Sequence, residues 1–325
     1  MKSTYRKQSS GIPQGSVLGP LLFVIFINDL PEVCPDEDLF LFADDAKLYK
    51  FIKNIQESLL LNESCQQVYN WCNKWGMKIN ITKCKVMTVH PNRERVKYDY
   101  YFTDENGVKT ELAYTEEFCD LGVTFDNKLT FRAHVSNKIN KANQMLGIIR
   151  RNFCNLDAFS FKILYFALVR SHLEYCHSVW NPHSVELIED LEKVQKRATK
   201  LLSQCQGLSY TERLKYLKIP TLKYRRLRGD LIEAFKIIVE MYDNEVVPTI
   251  KRSEEMRTRG HGHKLAVNRT KYNLRKYSFT NRIVNSWNAL PNSVVNASSL
   301  DIFKNKLDQH MITKDIYFDY KASSN

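Results

Sequence analysis

Phe42-Ala43-Asp44-Asp45 sets two carboxylates side by side at the end of the apolar run Leu39-Phe40-Leu41-Phe42-Ala43. Adjacent negative charges repel, and that cost disappears when hard divalent cations sit between them. Mg²⁺ favours such oxygens together with substrate phosphates. With two ions held, one activates an attacking hydroxyl and the other clamps a polyphosphate leaving group. The same pair also suits a plain solvated turn, because aspartate is common at hairpin tips.

Other side chains offer less chemistry. The eight cysteines (34, 65, 72, 84, 119, 154, 176 and 205) contain no Cys-x-x-Cys pair and no Cys/His cluster at ligand spacing. They read as reduced thiols, with no zinc site. His261 and His263 lie near Arg257 and Arg259 without an acidic or thiol partner at ligand spacing, which describes a basic loop. Trp71 and Trp75 fall on an apolar helical face and read as core residues, although exposed tryptophans can also stack on bases.

The elements that must position Asp44 and Asp45 follow from periodicity. Gly11, Pro13 and Gly15 mark a turn, followed by an apolar helix starting at Ser16 or Pro20 and stopped by Pro31. Residues 39–43 and 46–49 read as two strands with the aspartates at the turn between them. A 3.6-residue rhythm over 54–75, ended by Gly76, predicts a helix. Residues 77–81 and 85–90 read as short strands, 98–103 and 108–112 as a hairpin about Asp104-Glu105-Asn106-Gly107, and 118–125 as a strand containing Gly122. Beyond Asp126 the pattern becomes helical: stripes over 131–149, 161–176, 188–202 and 227–238, a basic break at 251–263, and a last helix over 299–311.

The net charge is +12, and residues 128–228 carry all of it, with 19 Lys and Arg against 7 Asp and Glu. A basic helical part joined to a neutral front predicts a phosphate-bearing partner, although charged helices are often simply solvated. Lys2, Arg6 and Lys7 before the run at 21–27 imitate a signal peptide. The intervening Gly11–Gly15 turn and the following Asn28-Asp29-Leu30-Pro31 argue against one. An intracellular protein, nuclear or cytoplasmic and not secreted, is expected, with no membrane span.

Taken together, Gly11-Ile12-Pro13-Gln14-Gly15-Ser16-Val17-Leu18-Gly19-Pro20-Leu21-Leu22-Phe23, Asn28-Asp29-Leu30 and Phe42-Ala43-Asp44-Asp45 closely resemble the reverse-transcriptase domain of non-LTR (LINE-type, jockey-like) retrotransposons. The similarity continues through residues 75–85, with Asn80, Lys83 and Cys84, through Cys119–Asp126, which looks like the family's primer-grip hairpin, and through Leu173-Glu174-Tyr175-Cys176, Val179-Trp180 and Val194–Ala198 to Ser286–Pro291. The fold this implies is α+β: a partial right-hand polymerase palm of antiparallel sheet with helices, then an all-α thumb and a helical C-terminal region. The corresponding ranges are 1–126, 127–245 and 246–325.

The resemblance also implies roles. Asp44 and Asp45 would be catalytic metal ligands for two Mg²⁺ ions, with Lys83 neutralising the departing pyrophosphate. Gln14 and Gly15 would contact the incoming deoxynucleoside triphosphate, and Leu121 and Gly122 would grip the primer. Arg132, Lys138, Lys141, Arg150, Arg151, Lys193, Lys196, Arg197 and Lys200 would track the phosphates of an RNA template and DNA primer. A palm of this family carries a further Asp on an earlier strand, which has no counterpart ahead of the Gln14-Gly15 turn. The expected function is therefore a fragment of an RNA-directed DNA polymerase, inactive by itself. The alternative is a catalytically dead remnant that only binds RNA or RNA–DNA duplex.

Overall fold

A computed structural model of the chain describes residues 11, 15–34, 38–89, 96–253 and 262–322. It divides into two compact units, one ending at Phe118 and the other beginning at Cys119.

In the first unit, α1 (Gly19–Ile27) carries Pro20 in its opening turn, where the missing N–H costs nothing, and a 3₁₀ turn follows at Leu30–Val33. Strands β1 (Asp38–Phe42) and β2 (Asp45–Tyr49) pair antiparallel, Leu39 opposite Leu48 and Phe42 opposite Asp45. Helix α2 (Ile55–Lys74) starts where the Asn54 side chain accepts the Glu57 N–H at 3.1 Å. It ends in a Schellman turn: Gly76, at φ 71°, donates to Asn73 O, and Met77 donates to Cys72 O. Two apolar clusters pack on α2. One gathers Ile27, Leu30, Val68, Trp71 and Cys72 with Leu39, Leu41 and Leu48; the other gathers Tyr100, Phe102 and Leu112 with Leu61 and Tyr69.

The strand expected at 77–81 does not form. Met77, Ile79 and Ile81 reach the two clusters from irregular chain, so their alternation reports burial without a pairing partner. The strand expected at 85–90 shrinks to β3 (Lys85–Val86), and His90 lies outside the described residues. The hairpin is β4 (Tyr101–Thr103) with β5 (Lys109–Glu111), and β6 (Ala113–Tyr114) pairs with β3 in parallel. Trp71 is buried, but Trp75 is 47% exposed at the helix end, correcting its reading as a core residue.

The second unit begins within β7 (Glu117–Asp120), which pairs with β8 (Val123–Asp126) across Leu121-Gly122. The single strand that alternation predicts at 118–125 is instead a hairpin, the form the family resemblance implies over Cys119–Asp126: Leu121 (φ 45°) and Gly122 (φ 79°) both enter the left-handed region and reverse the chain. Helix α3 (Arg132–Asn152) is followed by α4 (Ala158–Leu164), a π-helical turn at Tyr165–Arg170, and α5 (Ser171–Glu174). Next come α6 (His177–Trp180), α7 (Val185–Thr199), α8 (Tyr210–Leu217) and α9 (Leu222–Ile238). The chain closes with α10 (Asn273–Lys276), α11 (Phe279–Asn288), α12 (Asn292–Val295) and α13 (Leu300–Met311).

Helix α9 joins two cores. Leu222 packs with Val135, Leu146, Phe161, Leu173 and Leu191, whereas Leu231 and Phe235 pack with Trp287, Phe303 and Leu307. Of the break at 251–263, the described flanks pair through Ser253 N–H to Lys264 O and Ala266 N–H to Lys251 O, both at 2.9 Å; His261 lies outside the described residues. All eight cysteines are free thiols. Among the described residues no helix is long and apolar enough to cross a membrane.

Candidate functional site

The β1–β2 register leaves Ala43 and Asp44 as the two-residue loop and makes Asp45 the first residue of β2. Ala43 takes φ 50°, a left-handed conformation that costs an L-residue roughly 1–2 kcal/mol. Both aspartates are exposed, and neither carboxylate has a hydrogen-bond or ion-pair partner among the described residues. A strained turn displaying two unpaired carboxylates has the donor set of a Mg²⁺ site completed by water and phosphate. Among the described residues no three His, Cys, Asp or Glu side chains converge as they would around an ion held by protein alone.

The residues assigned with this turn come from other segments of the chain. Gly15 has φ 85°, is exposed, and would meet nothing within 4 Å of an added Cβ, so backbone can be approached closely there. Gln14 lies outside the described residues. Lys83 is exposed in the turn after Asn80, whose carbonyl accepts its N–H at 3.0 Å.

In the second unit the β7–β8 turn is built into the helices. The Asp126 carboxylate accepts the N–H groups of Lys128, Thr130 and Phe131, which folds the link from β8 into α3. His134 Nδ1 accepts the Thr124 N–H at 3.0 Å, tying β8 to α3 a second time. Burial, and then the nearby Lys138 charge, hold the His134 pKa down at about 4, so the ring is neutral at physiological pH. Tyr175 Oη donates to the Leu121 carbonyl at 2.8 Å, and the Lys138 ammonium lies 5.7 Å from the Tyr175 ring centroid. Asp126 and Tyr175 lie in segments that carry the resemblance but receive no role there, and His134 is not singled out at all. Asp126 carried a faint signal, since Asp-Asn before Lys128 is a turn signature; the other two act across distances no local pattern encodes.

The nine expected phosphate-tracking cations divide into two groups. Arg132 pairs with Glu186 at 3.0 Å, and Lys193 with Asp190 at 2.7 Å. Arg197 donates to Asn143, and Lys196 donates to Tyr320 Oη with its charge over the Tyr210 and Tyr320 rings. Lys138 lies against Tyr175. Lys141, Arg150, Arg151 and Lys200 are exposed without an ion-pair or hydrogen-bond partner among the described residues. Helical periodicity puts Lys138 and Lys141 on one flank of the buried stripe of α3 and Arg150 on the other, beside Asn143 and Arg197. The basic surface therefore wraps α3, and its first flank adjoins the Leu121-Gly122 turn.

Residues 1–125 match the family described as reverse transcriptase (RNA-dependent DNA polymerase). The chain is 30% identical over 262 residues to the RNA-directed DNA polymerase from mobile element jockey of Drosophila funebris, covering 75% of this chain and 27% of that protein. With the jockey polymerase of Drosophila melanogaster it shares 29% identity over 151 residues (42% of this chain, 15% of the relative). With the probable RNA-directed DNA polymerase from transposon BS of the same fly it shares 26% over 218 residues (62% and 23%). The matched stretches span about a quarter or less of those relatives, and no solved structure matches the chain. A reverse-transcriptase match over the front, continued by similarity to jockey and related transposon polymerases into the helices, makes this chain a match to the non-LTR, jockey-like retrotransposon reverse-transcriptase family.

Proposed function

We propose that this chain is part of an RNA-directed DNA polymerase. It grips an RNA template and DNA primer through its second unit and offers Asp44 and Asp45 to Mg²⁺. The observation that carries the reading is the strained, solvent-facing Ala43-Asp44 loop with two unpaired carboxylates, in a stretch that matches the family. Asp44 serves as the main ligand and Asp45 as its partner. Bound Mg²⁺ supplies activation of the primer hydroxyl and neutralisation of the triphosphate. Lys83 balances charge on the departing pyrophosphate, and Gln14 and Gly15 receive the deoxynucleoside triphosphate. Leu121 and Gly122 hold the primer while the basic face around α3 and α7 follows backbone phosphates. The protein works inside the cell, in nucleus or cytoplasm.

Two carboxylates without a third leave two ions poorly fixed, and misplaced reacting oxygens cost orders of magnitude in rate. The chain tested by itself is therefore expected to bind RNA–DNA duplex and not to extend it. Fluorescence anisotropy between about 50 and 200 mM salt tests the first part, because phosphate contacts weaken as counterions rise. Absent or salt-insensitive binding overturns the reading. Mg²⁺-dependent primer extension that vanishes in Asp44→Ala would overturn only the expected inactivity.

A further inference from the structure

Leucine rarely adopts a positive φ, yet Leu121 sits at 45° beside Gly122 at 79°. Such a conformation persists when surrounding contacts over-determine it. Those contacts come from Tyr175. Its hydroxyl donates to the Leu121 carbonyl at 2.8 Å, and its ring lies against Gly122, where an added Cβ would come within 3.3 Å of Cε1. Tyr175 is itself anchored from below: its carbonyl accepts the indole N–H of buried Trp180 at 2.7 Å. The preceding Glu174 is held by two 2.8 Å hydrogen bonds from Arg225. Tyr175 is the C-cap residue of α5, the short helix that continues the π-helical turn at Tyr165–Arg170, and π-helical turns are frequent at functional sites.

We infer that Tyr175 is a positioning residue, a latch that holds the Leu121-Gly122 turn in the conformation that meets a nucleic-acid strand; this rests on reading that turn and the α3 cations as the grip. The hydroxyl of the latch engages the turn through a backbone carbonyl, and the Leu121 side chain stays 42% exposed. Lys138 lies against the exposed ring, and His172, whose pKa is lowered by burial and then by Lys138 and Lys141, lies close to both lysines. A sugar-phosphate strand crossing the turn would therefore meet an apolar side chain, a fixed backbone and two lysine charges. The aromatic ring buttresses that arrangement from beneath. Tyr175 contributes geometry, and the lysines contribute charge.

The test uses the full chain with Tyr175→Phe, which deletes the hydroxyl and keeps the ring. Three readouts are combined: anisotropy with an RNA–DNA duplex bearing a recessed 3′ end, amide hydrogen exchange over residues 120–123, and thermal melting. Loss of one hydrogen bond should speed exchange at the turn and weaken duplex binding, each about three- to tenfold. The melting temperature should hardly move, and the salt dependence should keep its slope because no cation is removed. A merely structural tyrosine would lower the melting temperature and leave turn exchange and affinity in step with global stability. Wild-type binding with an unchanged Tyr175→Phe affinity would overturn the latch alone. No salt-sensitive binding by the wild-type chain would overturn the grip reading and the latch's purpose with it.

Discussion

Acid should loosen the β7–β8 hairpin from α3 through one imidazole. His134 is fully buried, its Nδ1 accepts the Thr124 N–H, and its Nε2 has no hydrogen-bond partner among the described residues. Protonation would place a charge in that interior and abolish the acceptor. The pKa falls from 6.5 to about 4, with burial as the larger cause and Lys138 as the smaller. Because the folded value is depressed, the unfolded chain takes up its proton first. This contribution to stability is complete above pH 6.5 and is lost as pH falls towards 4. The interval corresponds to up to about 3 kcal/mol, of which about 2 kcal/mol is gone by pH 5.

Urea denaturation at pH 7.5 and pH 5.0 measures this loss for the wild-type chain and for His134→Phe. The variant keeps a ring near Trp180, 5.2 Å away between centroids, and cannot titrate. At pH 7.5 it should be less stable by about 1–3 kcal/mol, because the Thr124 N–H loses its acceptor. Between the two pH values it should lose about 2 kcal/mol less than wild type. Equal losses would refute the assignment of a buried neutral His134.

Duplex affinity should fall with a slope of about −4 to −5 in log K against log salt if Lys138, Lys141, Arg150, Arg151 and Lys200 each neutralise one phosphate. Removing any one of these should shallow the slope by about 0.9, whereas Arg132→Ala, which breaks an exposed pair with Glu186, should change it less; equal effects would refute the division. Gly229→Ala would drive a Cβ into His177 Nε2, and thermal melting should register a loss of roughly 1–3 kcal/mol. Glu192 is buried, accepts from Tyr210 Oη at 2.5 Å and from the Leu222 N–H, and has its pKa raised mainly by burial. A raised carboxyl pKa means that ionised Glu192 weighs against the fold as pH rises. Glu192→Gln should therefore be neutral or stabilising at pH 7.5, while Glu192→Ala, which strands both donors, should cost about 1–3 kcal/mol per donor.

Residue types and local spacing determined much of this protein. The apolar pair of strands around Ala43-Asp44 follows from short-range alternation. The helix from Asn54 to Gly76 follows from a cap, a 3.6-residue rhythm and a left-handed stop, all encoded within one or two turns. The α+β order and the basic character of the second unit were legible for the same reason, because amphipathic stripes and charge are properties of composition along the chain. Tertiary structure alone decided the rest. Alternation at 77–81 produced no strand, since a strand needs a partner and alternation cannot supply one. Charge counting predicted nine equivalent cations, but Glu186, Asp190, Asn143 and Tyr320, all distant except Asp190, engage four of them. Local alternation alone reads residues 118–125 as one strand, and only the family resemblance implies a hairpin there. Two left-handed residues reverse the chain there, and the hydroxyl that donates to the Leu121 carbonyl comes from Tyr175, 54 residues away. Such long-range contacts depend on how the helices pack, and no window of the sequence contains that packing.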